Sequence, residues 1–165
     1  QKCTAIRRIM APEAQVEAVI DALSQKLADI TISDPRDAGT QMGALVSNSQ
    51  KLDVLAKSDQ LATQAERVFG DPDRFSMADS PGAFLPPMLF HCADPDAATA
   101  IHEVEAFGPV STVMPYRDVT HAAALLNKGV HVFHIDAACL KQIENVIESA
   151  GTVGNFDRQD IGFLS

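Results

Sequence analysis

Short runs of β-branched and apolar residues alternate along this chain with longer segments whose apolar residues recur at helical spacing. That alternation restricts the fold more than any other feature. The clearest helical segment begins at Pro12, which suits a first helical position because its missing N–H costs nothing there, with Glu13 beside the positive end of the helix dipole. Val16, Val19, Ile20, Leu23, Leu27 and Ile30 then fall on one face. A second helix is expected over 48–62, with Leu52, Leu55 and Ala62 inward and Lys51, Asp53 and Lys57 outward. Strands are expected over 67–69, 84–90, 110–114 and 130–133. Pro86 and Pro87 each lack a donor, so the second of these should be an edge or irregular strand. Asp94-Pro95-Asp96 opens a short helical segment into His102, Asp118 or Thr120 caps a helix over 121–127, and Asp136 caps one through Ile147 that Gly151 ends. Strand alternating with helix predicts an α/β fold with a mainly parallel sheet flanked by helices.

The remaining segments are loops. Asp34-Pro35-Arg36-Asp37-Ala38-Gly39 is a turn by composition, and 70–82 is an Asp-, Pro- and Ser-rich surface excursion. With 165 residues, 46% hydrophobic and 21% charged, one domain can bury a core without a metal or disulfide framework.

Thirteen basic against 22 acidic residues give a net charge of -9, and no Lys/Arg block is present that could track a phosphate backbone. Nucleic acid and anionic membrane are therefore not expected partners. No apolar run approaches the roughly 20 residues of a spanning helix, and no signal-peptide pattern opens the sequence. Cys3, Cys92 and Cys139 are widely spread, with no C-x-x-C pair, which fits a reducing compartment. The expectation is a cytoplasmic protein. His131 and His134 lie three apart in an expected strand, on opposite faces, so no metal site is expected.

Chemistry first enters at Gln1-Lys2-Cys3-Thr4-Ala5-Ile6-Arg7-Arg8-Ile9, a thiol followed by a β-capable run with two arginines. Nearby cations favour the thiolate, the form of cysteine that attacks carbon. Downstream stands Glu103-Val104-Glu105-Ala106-Phe107-Gly108-Pro109-Val110. Together the two segments resemble the aldehyde dehydrogenase superfamily, whose nucleophile lies in a Gly-Gln-x-Cys segment and whose Glu-x-Phe-Gly-Pro-Val segment contacts the nicotinamide riboside. Met42-Gly43-Ala44-Leu45-Val46-Ser47 resembles its Gly-Pro-Leu-Val turn, with Ala44 where proline is usual, and Phe84-Leu85-Pro86-Pro87-Met88-Leu89 its Phe-x-x-Pro-Thr-Leu strand, with Met88 in place of threonine. The Gln-Lys-Cys-Thr-Ala-Ile-Arg-Arg run is most similar to the branch that oxidises CoA-linked semialdehydes in phenylacetate and benzoate breakdown. Towards the end the likeness thins: 127–133 is shorter than the family's Asn-x-x-x-Gly-Leu-x-x-x-Val-Phe, and Gly151-Thr152-Val153-Gly154-Asn155 lacks one residue of Gly-Thr-Val-x-Val-Asn.

The resemblance implies covalent catalysis, with Cys3 as nucleophile, Glu105 holding the ribose hydroxyls and Phe107 packing beside the nicotinamide riboside of NAD or NADP. No glycine fingerprint for a dinucleotide pyrophosphate occurs in these residues. The family's general-base glutamate and oxyanion-hole asparagine lie upstream of its nucleophile. Residues 1–165 are thus expected to form a single catalytic-type domain without the cofactor-binding Rossmann domain, inactive and unable to bind cofactor alone, and to pair as a homodimer. The alternative is a stand-alone binding or oligomerisation module descended from that domain. The exposed strands expected to drive pairing are 110–114 and 130–133.

Overall fold

The computed structural model describes residues 5–77 and 82–129. The strand expected at 130–133, the helix from Asp136, the Gly151 stop, Gly154, Cys3, Cys139, His131 and His134 fall outside the described residues.

Among the described residues four strands, β1 (Arg8–Pro12), β2 (Glu66–Phe69), β3 (Met88–His91) and β4 (Val110–Tyr116), form one sheet in the order β1-β4-β3-β2. Both β1 and β3 run parallel to β4, and β2 runs antiparallel to β3. Helices α1 (Val16–Ala28) and α2 (Asn48–Ala62) lie between β1 and β2, α3 (Ala100–Glu103) lies between β3 and β4, and α4 (Val119–Asn127) follows β4. The sheet is mainly parallel and lies between helices, as the alternation predicts.

Pleating sends successive side chains to opposite faces, and each face has its own core. Met88 and Phe90 of β3 and Val110 and Met114 of β4 pack with Val54 and Leu61 of α2. Leu89 and Val113 turn the other way, onto Ala11 and onto Val16, Ile20 and Leu27 of α1. A strand covered on both faces reads as a continuous apolar run, which is why Met88-Leu89-Phe90 does not alternate.

Four expectations are corrected. Pro12 does not start the helix but ends β1, opposite Tyr116; a 3-10 turn at Glu13–Gln15 intervenes and α1 begins at Val16. The fixed φ of proline suits a strand end as well as a first helical turn, and on an edge strand the missing donor is cheap. Of the edge or irregular strand expected from Pro86 and Pro87 the edge is corrected: the ladder begins after them, Met88 N donates to Pro109 O at 2.8 Å, and β3 lies inside the sheet, its pairing with β2 carrying a register shift. The strand expected at 110–114 as an open edge is β4, paired on both sides. Finally, Leu52 of α2 is 67% exposed and Ala62 is also exposed; the inward stripe is Val54, Ser58 and Leu61 with Leu55 half-buried. Ser58 is tolerated there because its Oγ donates to Val54 O at 2.8 Å.

Candidate functional site

The Glu105–Phe107 segment occupies the loop between α3 and β4, and its shape follows from local constraints. Gly108 N donates to Ala106 O, and Val110 N to Gly108 O, both at 2.8 Å, so the chain doubles back tightly before entering the sheet. Gly108 presses against α2, where an added Cβ would stand 2.7 Å from Val54 Cγ2. Ala106 is buried in the core, whereas Glu105 is half-buried and Phe107 is 37% exposed. The buried alanine anchors the loop, and a carboxylate and an aromatic ring flank it.

Helix α2 holds the same loop from its first turn. Ser47 caps the helix by accepting from Gln50 N at 3.1 Å. Gln50 Nε2 in turn donates to Phe107 O at 3.1 Å. Sequence reading gave no signal for Gln50, because a glutamine one turn into a helix reads as a solvated residue.

Cys3 lies outside the described residues, but the chain that follows it is firmly placed. Ser111 Oγ donates to Ile6 O at 2.6 Å and Thr112 N to Arg7 O at 2.9 Å, and from Arg8 the chain pairs in parallel with β4, Arg8 opposite Thr112. Cys3 precedes Arg8 by five positions, and Phe107 precedes Thr112 by five. Two stretches far apart in sequence thus lead into neighbouring parallel strands.

The two arginines tie the segments together. Arg7 Nη1 donates to Val104 O at 3.4 Å, next to Glu105. Arg8 Nη1 donates to His102 Nδ1 at 2.9 Å and to Leu125 O at 3.0 Å, and Arg8 Nη2 to Leu126 O at 3.3 Å. Burial pushes the Arg8 guanidinium below its ordinary value, and the Arg7 charge adds to that. Sequence reading assigned these cations to the thiolate; the structure engages Arg7 with Val104 O and Arg8 with His102, Leu125 and Leu126.

Cys92 follows β3, is fully buried, and has its thiol pKa pushed up chiefly by that burial, so it is a packing residue. Among the described residues no group of three or more His, Cys, Asp or Glu could hold a metal ion, and no helix is long and apolar enough to cross a membrane.

The aldehyde dehydrogenase family model matches residues 1–131. The chain belongs to the aldehyde dehydrogenase family. A 3,4-dehydroadipyl-CoA semialdehyde dehydrogenase of Aromatoleum evansii is 41% identical over 152 residues, 87% of this chain and 29% of that enzyme. Among solved structures, an aldehyde dehydrogenase C mutant from Pseudomonas syringae, in complex with NAD+ and octanal, superposes with a TM-score of 0.70 at 26% identity, covering 79% of this chain and 26% of its own. The Mycobacterium tuberculosis aldehyde dehydrogenase complexed with NAD+ gives 0.70 at 25% identity, with 89% and 31% covered. This chain therefore spans about a third or less of the length of the relatives it matches.

Proposed function

We propose that these residues are the nucleophile-bearing catalytic-domain portion of an aldehyde dehydrogenase oxidising aldehydes, CoA-linked semialdehydes among them. The observation that carries this reading is the parallel pairing of β1 with β4, which leads the segments of Cys3 and of Glu105 and Phe107 into adjacent strands. Support for the substrate class comes from the Aromatoleum relative, whose own substrate is a CoA-linked semialdehyde.

In this reading the Cys3 thiolate adds to the aldehyde carbon, forming a C–S bond and a thiohemiacetal. The residues of the α3–β4 loop fit a nicotinamide riboside: Glu105 would hold the ribose hydroxyls, and the partly exposed Phe107, its loop held through Gln50 and Val54, would pack beside it. Bound NAD or NADP supplies the acceptor for the hydride that leaves the substrate carbon. Water then cleaves the resulting thioester and frees Cys3. In this reading nucleotide affinity, the general base and the oxyanion donors are supplied by parts of the enzyme other than residues 1–165, so this chain alone is expected neither to bind cofactor nor to turn over. A homodimer completes the proposed assembly.

The first chemical step can be tested without cofactor. An activated ester, p-nitrophenyl acetate, should acetylate Cys3 of the folded chain, with mass-spectrometric mapping showing at least about tenfold preference over buried Cys92. Equal labelling of the two, or labelling of Cys92 first, would count against Cys3 as the nucleophile.

A further inference from the structure

Three elements converge on one guanidinium. Arg8 opens β1, His102 lies in α3, and Leu125 and Leu126 supply last-turn carbonyls of α4, at sequence separations of 94, 117 and 118 residues. The carbonyls form the negative end of α4, where a fixed cation is favoured. The fit is close: a Cβ on Gly129 would stand 2.6 Å from Arg8 Nη2.

His102 is defined by its two hydrogen bonds. Its Nδ1 faces the guanidinium, which can only donate, so Nδ1 is the acceptor and the proton sits on Nε2, which donates to Pro95 O at 2.8 Å. The ring is 2% exposed, with both nitrogens engaged. It serves as a neutral strut between Arg8 and the Pro95 turn. Helix α3 ends at Glu103, two residues before Glu105, so whatever holds His102 also holds the approach to the riboside loop.

We propose that Arg8 is a positioning residue, whose forked contacts fix the strand following Cys3 to the helix preceding Glu105 and Phe107 and so set the two reacting segments against each other. The roles of Cys3, Glu105 and Phe107 in this statement rest on the functional reading above. Lysine could not replace it, because one ammonium on a flexible stem does not reproduce a planar fork that spans an imidazole and two carbonyls.

The two amides of His102 shape separate this role from simple packing. In His102→Asn the amide oxygen can occupy the place of Nδ1 and still accept from Arg8, whereas in His102→Gln the longer amide reaches Pro95 O and leaves Arg8 without its acceptor. The readout is amide hydrogen exchange at Val104 and Gly108, which donate to Ala100 O and Ala106 O. Arg8→Lys and His102→Gln should exchange at least about tenfold faster at these sites, and His102→Asn should stay within about twofold of the parent. Equal loss in both His102 variants, no local change in any variant, or the reverse order of Asn and Gln would overturn the proposal. Should Arg8→Lys not fold, the His102 pair decides alone. Because exchange needs no turnover, failure here is distinct from failure of Cys3 to react.

Discussion

Gly108 and Val54 approach so closely that a methyl group on the glycine would lie 2.7 Å from Val54 Cγ2 and 3.0 Å from Cγ1. Val54 is fully buried in α2, packed within one of the two cores, and cannot swing away. Gly108→Ala must therefore shift the α3–β4 loop or the helix. Overpacking of this kind costs about 1–3 kcal/mol, and at about 2–4 °C per kcal/mol for a chain of this size the thermal midpoint should fall measurably. Val54→Ala in the same background should recover part of the loss by making room. An unchanged midpoint in Gly108→Ala would show that the loop does not rely on this contact.

The neutral strut at His102 makes stability depend on pH. Burial above all lowers its pKa, with repulsion from Arg8 and Lys128 in the same direction; the bond to Pro95 O and the charge of Asp96 oppose them. In the unfolded chain the imidazole titrates near 6.5, above its folded value, so on acidification the unfolded state takes up this proton first. The contribution is fully present above about pH 6.5 and is lost as pH falls from there towards the depressed folded value. Thermal midpoints taken from about pH 7.5 to about pH 5 should drop more steeply for the parent than for His102→Asn, which has nothing to titrate there. Identical slopes would mean that His102 can be protonated in place.

Self-association should follow from the sheet order. The two edges among the described strands are β1 and β2, and β2 presents Glu66 and Arg67, exposed charges that discourage pairing. The β1 edge is the better candidate for a two-fold contact. Sedimentation at micromolar concentration should show a dimer, strengthened modestly by salt because the net charge of -9 is screened. A monomer at both low and high salt would leave β1 covered from within and would favour the stand-alone module.

What could be read from the sequence was whatever is written locally. The bounds of α2, Asn48–Ala62, match the expected segment because Ser47 supplies a cap and no residue within it breaks the helix. The Asp118 cap of α4 was legible for the same reason, its Oδ1 accepting from His121 N at 2.8 Å. Strand order was not legible: nothing within Val110-Ser111-Thr112-Val113-Met114 says that it will be flanked by β1 and β3, and its uninterrupted burial is a consequence of neighbours distant in sequence. Pro12 was misread because one φ serves two local structures, and Leu52 because the inward face of α2 is set by what Val54 meets on the sheet face that it covers. At the site, the motif residues stood out by resemblance, while the residues that hold them did not. Arg8 and His102 meet across 94 positions, and Ser111 reaches Ile6 O across 105; no spacing rule anticipates either.

In the proposed function Cys3 performs thiol chemistry opposite a nucleotide held by Glu105 and Phe107. The most direct test is NAD(P)H formation at 340 nm from aliphatic aldehydes and CoA-linked semialdehydes, comparing the product of the complete open reading frame with the 165-residue chain. The complete product should turn over, lose activity by at least about a thousandfold with Cys3→Ala, and show a raised KM for the nucleotide with Glu105→Gln, while the 165-residue chain stays silent. Turnover that survives Cys3→Ala, or a complete product inert towards the whole panel, would overturn the assignment of Cys3 as nucleophile.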